Sequence, residues 1–111
     1  MSENIIDPAT FAELQETAGA DFVDELVAAF LEEAPRMFAE LRNAQSAASA
    51  DRFRRAAHSL KSNSNTFGAH RLGEMARNLE LGGMISEVAP LDALDAEYSR
   101  VASALKGLCN G

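Results

Sequence analysis

Apolar positions recur along this chain at steps of three and four, with no alternating stretch, and the pattern predicts helices throughout. Asp7 and Pro8 mark the first start. The carboxylate caps, the proline suits the first helical position, and Ile6 can staple to Phe11. Gly19 is the expected end. A second helix begins at about Asp21, with the inward stripe Phe22, Leu26, Phe30, Ala34, Met37, Leu41, Ala44. The phase holds across Pro35, so one long helix kinked there is expected rather than two, although an interior proline costs about 3 kcal/mol. Glu32, Glu33 and Arg36 face water. Ser46 to Ala50 is a connection of small residues. A third helix runs from about Asp51 to Phe67 on the stripe Phe53, Ala56 or Ala57, Leu60, Ser64, Phe67, and Gly68 ends it. A fourth carries Leu72, Met75 or Ala76, and Leu79, and stops at Gly82 and Gly83. The last starts near Pro90, and Leu91, Leu94, Tyr98, Val101, Leu105 and Leu108 alternate threes and fours without a slip.

These five helices with short connections predict an all-α fold. The arrangement expected is an antiparallel four-helix bundle with an additional short N-terminal helix covering one end. A length of 111 residues argues for one domain, 1–111. Ala and Leu are plentiful and β-branched residues sparse, which favours helix. The single cysteine, Cys109, cannot form an internal disulfide and has no partnered site around it in the sequence. Met1 to Asn4 show no basic region followed by an apolar stretch, so no secretory signal is expected. No apolar run approaches the roughly 18 residues a membrane span needs. The chain therefore reads as cytoplasmic, with no membrane partner, and the opening Met1 favours a free-standing protein over an excised domain.

The net charge of −7 is unevenly spread. From Arg52 to Arg77 there are six basic residues and one acidic one, a local balance of +5 that leaves −12 for the remainder. The whole is too acidic for nucleic acid. The local excess suits an acidic partner or a phosphoryl group, although most charge runs are solvated helix faces. Within that segment His58 falls well off the inward stripe. Asp51, Arg54, Arg55, Lys61, Ser62 and Asn65 lie within about 60° of it on the helix, and Lys61 and Ser62 are its direct neighbours. A histidine that packs a core wants apolar company; this one has the surroundings of a group reached from outside. Its unperturbed pKa lies near neutrality, and a neutral imidazole is a competent nucleophile toward activated phosphorus. Phosphoryl transfer asks for in-line positioning and positive charge near the equatorial oxygens, which Lys61 can supply. Ser62 and Asn65 are placed to add hydrogen bonds.

The run Ala57-His58-Ser59-Leu60-Lys61-Ser62-Asn63-Ser64-Asn65-Thr66-Phe67-Gly68-Ala69 resembles the active helix of histidine-containing phosphotransfer (HPt) domains, whose usual pattern reads A-H-x-L-K-G-S-[SA]-x-x-[LF]-G-A. Asp21-Phe22 through Phe30-Leu31-Glu32-Glu33-Ala34-Pro35 looks like the long second helix of bacterial members, and Leu79-Glu80 like a pair on their fourth. The resemblance covers about residues 5 to 108, and its His-Leu-Lys centre is the specific part. It implies that His58 is phosphorylated on Nε2, that Lys61 steadies the phosphoryl group, that Gly68 ends the active helix, and that Glu80 stands near Nδ1 of His58. Two departures stand out. Ser62 replaces the usual glycine after the lysine, and its hydroxyl can bond a phosphoryl oxygen or crowd the approach. Asn63 replaces the usual serine.

The function implied is a phosphorelay carrier with no ATP site of its own. It would take a phosphoryl group from the receiver domain of a hybrid histidine kinase and pass it to the receiver domain of a response regulator. No cofactor is expected on this chain, and Mg belongs to the partner receiver. A monomer suffices. The docking surface is expected around His58, from Arg54, Arg55, Lys61, Ser62 and Asn65 together with Phe30, Ala34 and Met37 on the second helix. The alternative is a non-phosphorylated HPt-like helical adaptor that binds a signalling partner. A metal site is disfavoured, because His58 and His70 should not share a helix face and Cys109 is remote. His70 is expected as a surface residue near the start of the fourth helix.

Overall fold

The computed structural model describes residues 5–83 and 85–110, and the expectations resting on Met1 to Asn4 lie outside them. Five helices follow one another: α1 (Pro8–Ala18), α2 (Ala20–Ser46), α3 (Ala50–Thr66), α4 (His70–Gly82) and α5 (Ala89–Asn110). The fold is an all-helical bundle, as the apolar spacing predicts. At the first start Asp7 caps α1, accepting from the Ala9 backbone N–H at 3.2 Å and from the Thr10 hydroxyl at 2.7 Å. Ile6 and Phe11 are both buried there.

In α2 the continuous helix is as expected: Pro35 lies inside it on the exposed side, and the helix runs through. The expected stripe is off by one residue at Phe22, Leu26 and Met37 and right at Phe30, Ala34, Leu41 and Ala44. The buried positions are Val23, Val27, Phe30, Ala34, Phe38, Leu41 and Ala44, while Phe22 is 50% exposed. The cause is drift. Each step of four residues overshoots a full turn by about 40°, so Phe22, Leu26, Phe30 and Ala34 fan through about 120°. Val23, Val27, Phe30 and Ala34 alternate fours with a three and stay in line.

On α3 the expected stripe is buried throughout: Phe53, Ala56, Ala57, Leu60 and Ser64, with Phe67 just beyond. On α4 the inward residues are Leu72, Gly73, Ala76 and Leu79. On α5 Leu91, Leu94, Val101 and Leu105 are buried, and Tyr98 is half-buried. Leu108 is exposed, because the last turn presents Cys109 to α2 beside Asp24 and Val27. Burial and the neighbouring Asp24 push the Cys109 thiol up from its ordinary value.

Neighbours close a ring: α2 against α3 and α5, and α4 against α3 and α5, while α1 packs on α2 and α3. Long-range pairs show that α2 runs antiparallel to both of its ring neighbours, α3 and α5. Arg42 near the end of α2 reaches Asp92 and Asp95 near the start of α5, and Arg52 early in α3 pairs with Glu40 late in α2 at 2.9 Å. The closest seam is α3 on α4. Gly73 makes it possible, since a Cβ there would meet the Asn65 side chain, with Cγ only 2.8 Å away.

Candidate functional site

The site is assembled by the three-residue connection between α3 and α4. Gly68 sits at φ +86°, a conformation glycine adopts at no steric cost. Its N–H donates to the Asn65 carbonyl at 3.1 Å, and the Ala69 N–H donates to that of Ser64 at 2.9 Å, closing α3. Its carbonyl accepts from the Asp7 N–H at 2.9 Å, and a Cβ on Gly68 would stand 3.0 Å from the Asp7 carbonyl oxygen. This corner turns α4 back along α3 and sets Glu80 beside His58, 22 residues earlier.

His58 stands on α3 with its side chain 56% exposed, off the buried stripe as predicted. Its Nδ1 lies 2.7 Å from Glu80 Oε2. Lys61 Nζ lies 2.8 Å from the other oxygen, Glu80 Oε1. Glu80 is only 12% exposed, so its carboxylate is wedged between the two. Lys61 first, and then His58, hold its carboxyl below the usual range against the opposing effect of burial. An ionised carboxylate only accepts hydrogen bonds, so Nδ1 carries the proton and donates it to Glu80. The Nε2 lone pair of the neutral ring is then on the far side from Glu80, on a half-exposed side chain. The arrangement is an oriented imidazole with a largely covered carboxylate behind it and a lysine beside it.

The remaining expected residues divide. Ser62 is exposed one turn beyond His58. Asn65 is not brought to His58. It lies two turns on, about 10 Å along the axis, and its Oδ1 is 3.2 Å from Nδ1 of His70 and packs over Gly73. Its side chain turns toward α4 because the missing Cβ of Gly73 leaves the space. Phe30 and Ala34 are not docking residues. They are 3% and 0% exposed, and the Phe30 ring packs on Phe67 and Tyr98. The α2 stripe that makes the core has no surface left to offer. Met37, half-buried, lines a groove between α2 and α3 with Arg55, Ala56 and Ser59. His70 is exposed at the start of α4, as expected, with Nε2 3.3 Å from the Thr10 hydroxyl oxygen and 3.4 Å from Asp7 Oδ2.

The basic segment is less bare than its count suggests. Arg54 and Arg55 both reach Asp51, at 2.9 and 2.6 Å. Arg52 pairs with Glu40, Arg71 with Glu97 and Arg77 with Glu74. Asp51 lies just outside the segment counted, Glu40 comes from α2 and Glu97 from α5. Glu97, 1% exposed, was missed. The signal was there: it sits three residues after Leu94 and four before Val101, on the buried face. Arg71 and Arg100 meet its Oε1.

The family model for the Hpt domain matches residues 25–104. The chain belongs to the Hpt domain family. Among solved structures it is similar to the crystal structure of histidine-containing phosphotransfer protein B from Pseudomonas aeruginosa PAO1, with a TM-score of 0.87 and 26% identity over 98% of this chain and 97% of that one. No curated protein matches. Hpt domains carry out histidine phosphotransfer in phosphorelays, as phosphocarriers rather than kinases, and interact with receiver domains. Among the described residues of this Hpt domain, no helix is long and apolar enough to cross a membrane.

Proposed function

We propose that this Hpt domain relays a phosphoryl group between aspartates of two receiver domains through Nε2 of His58, from a hybrid histidine kinase to a response regulator in the cytoplasm. The observation that carries the reading is the contact of His58 Nδ1 with Glu80 Oε2 at 2.7 Å. It selects the tautomer whose lone pair is on Nε2. That lone pair attacks the phosphorus of an aspartyl phosphate in line. The N–P bond forms, the P–O bond to the aspartate breaks, and the freed carboxylate stays on the donor. The phosphorylated ring keeps its Nδ1 proton and is positively charged, and Glu80 stands against that charge. The reverse steps deliver the group to the second receiver. Lys61, already bound to Glu80 at 2.8 Å, adds positive charge beside the transferring oxygens. Mg is expected on the receiver, not on this chain.

The docking face we assign is the α2–α3 groove next to His58, with Met37, Arg55 and Ser59, and Ser62 at its edge. A monomer presents this face whole. The test is transfer of label from a panel of aspartyl-phosphorylated receiver domains. Acid-labile, base-stable label on the protein, absent in His58→Gln, is the expected result. Receiver binding without any label would favour an HPt-like adaptor instead.

A further inference from the structure

The lysine beside His58 brings its positive charge already shared with a carboxylate. Lys61 is held by the wedged carboxylate of Glu80 at 2.8 Å, so that pair is neutral. The next charged cluster lies one turn before His58. There a single carboxylate, Asp51, is shared by two guanidiniums, Arg54 at 2.9 Å and Arg55 at 2.6 Å, a net charge of +1. Arg55 has a second anion to serve, because it also faces Glu40 across the seam with α2 and helps hold that carboxyl down. Glu40 itself is engaged by Arg52 through two bonds of 2.9 Å. Arg54, bonded to Asp51, lines a groove on the α4 side together with Phe53, Leu79, Glu80 and Gly83. A helical side chain covers the turn N-terminal to its own Cα, so the His58 ring leans over the turn that carries Arg54. Arg54 sits four residues before His58, a neighbouring position on the helix surface.

We propose that Arg54 is a phosphoryl-binding residue: when His58 is phosphorylated, its guanidinium leaves Asp51 for the phosphoryl oxygens, and Asp51 keeps Arg55. The inference rests on His58 as the phosphorylated residue. Its chemistry is simple. Asp51 is one carboxylate with two cations on it, so releasing one leaves it paired. A dianionic phosphoryl group offers a planar guanidinium a bidentate, charge-assisted contact. Arg54 and Asp51 are 55% and 60% exposed, so the exchange disturbs no packing.

The test loads His58 with phosphoramidate, which gives its phosphoryl group to an imidazole nitrogen and departs as ammonia, so that no receiver is needed. Phosphorus NMR then follows the last protonation of the phosphohistidine in the wild type, Arg54→Gln, Asp51→Asn and, as a control away from the site, Arg77→Gln. Arg54→Gln is expected to move the midpoint to higher pH. It should also shift the equilibrium with a receiver aspartate away from His58 by about tenfold. Asp51→Asn should move both in the opposite direction, and Arg77→Gln neither. If Arg54→Gln slows exchange with a receiver at low salt while its phosphohistidine titrates as the wild type does, Arg54 is a docking residue and the proposal fails. Equal shifts of one sign in Arg54→Gln and Asp51→Asn overturn it as well. If His58 accepts nothing from phosphoramidate or from any receiver in a folded protein, the underlying reading falls, and the proposal with it.

Discussion

At His58 one carboxylate does two jobs, and the consequences are specific. Glu80 orients the ring through Nδ1 and ties down Lys61. Its pKa lies below the ordinary value of 4.5. A carboxyl whose folded pKa is depressed adds stability that is fully present above its unfolded value and lost as pH falls through the folded one. The stability difference between the wild type and Glu80→Gln is therefore expected to be constant above about pH 5 and to shrink toward pH 3. Urea titrations across that range check it, and a difference that grew on acidification would contradict it. Glu80→Gln should also slow phosphoryl transfer, since an amide no longer fixes the tautomer. Lys61→Ala is expected to cut the transfer rate by about 100-fold while receiver affinity changes little, read by comparing single-turnover transfer with equilibrium binding. Loss of binding with unchanged transfer would remove Lys61 from the chemistry. His58 and Lys61 were legible from spacing on one helix, and Glu80 from the resemblance to HPt domains. The Lys61–Glu80 bond was not, because it depends on how α4 rotates against α3. The destination of Asn65 was hidden for the same reason: only the packed seam shows that Gly73 leaves room for it.

Among the elements, the α3–α4 corner carries the most weight. Gly68 combines positive φ with close approach to the Asp7 backbone. Gly68→Ala is expected to destabilise the protein by about 1–3 kcal/mol. It should loosen α1 as well as the corner, so amide exchange should accelerate in both places; acceleration confined to α1 would mean the corner tolerates a side chain. Phe30→Ala should behave as a core truncation, costing about 3–5 kcal/mol with receiver affinity preserved in the folded fraction. Helix order and most ends were legible from caps, glycines and the three-and-four spacing. The phase of early α2 was not. Runs such as Phe22, Val23 and Leu26, Val27 offer two apolar stripes side by side, and which one faces inward is settled by the partner helices. Glu97 was lost because a charged residue on a buried face makes sense only once Arg71 and Arg100 are seen beside it.

For the whole molecule, we assign encounter to charge and presentation to the fold. The local excess of basic residues was countable in the sequence, but its pairing was not, since Glu40 and Glu97 come from other helices. What survives is a modest positive balance around Asp51, Arg54 and Arg55 on an otherwise acidic protein. Arg55→Ala is expected to slow receiver association several-fold at low salt and by less at about 0.5 M, where the Debye length falls below about 5 Å. Equal slowing at both salt levels would remove steering from the account. The account depends most on which atom takes the phosphoryl group. Nitrogen-resolved NMR of protein labelled at histidine, after phosphorylation by a receiver domain, reads this directly. Phosphorus bonded to Nε2 of His58, with the proton still on Nδ1, is the result predicted. Phosphorus on Nδ1, or on any other residue, would contradict it.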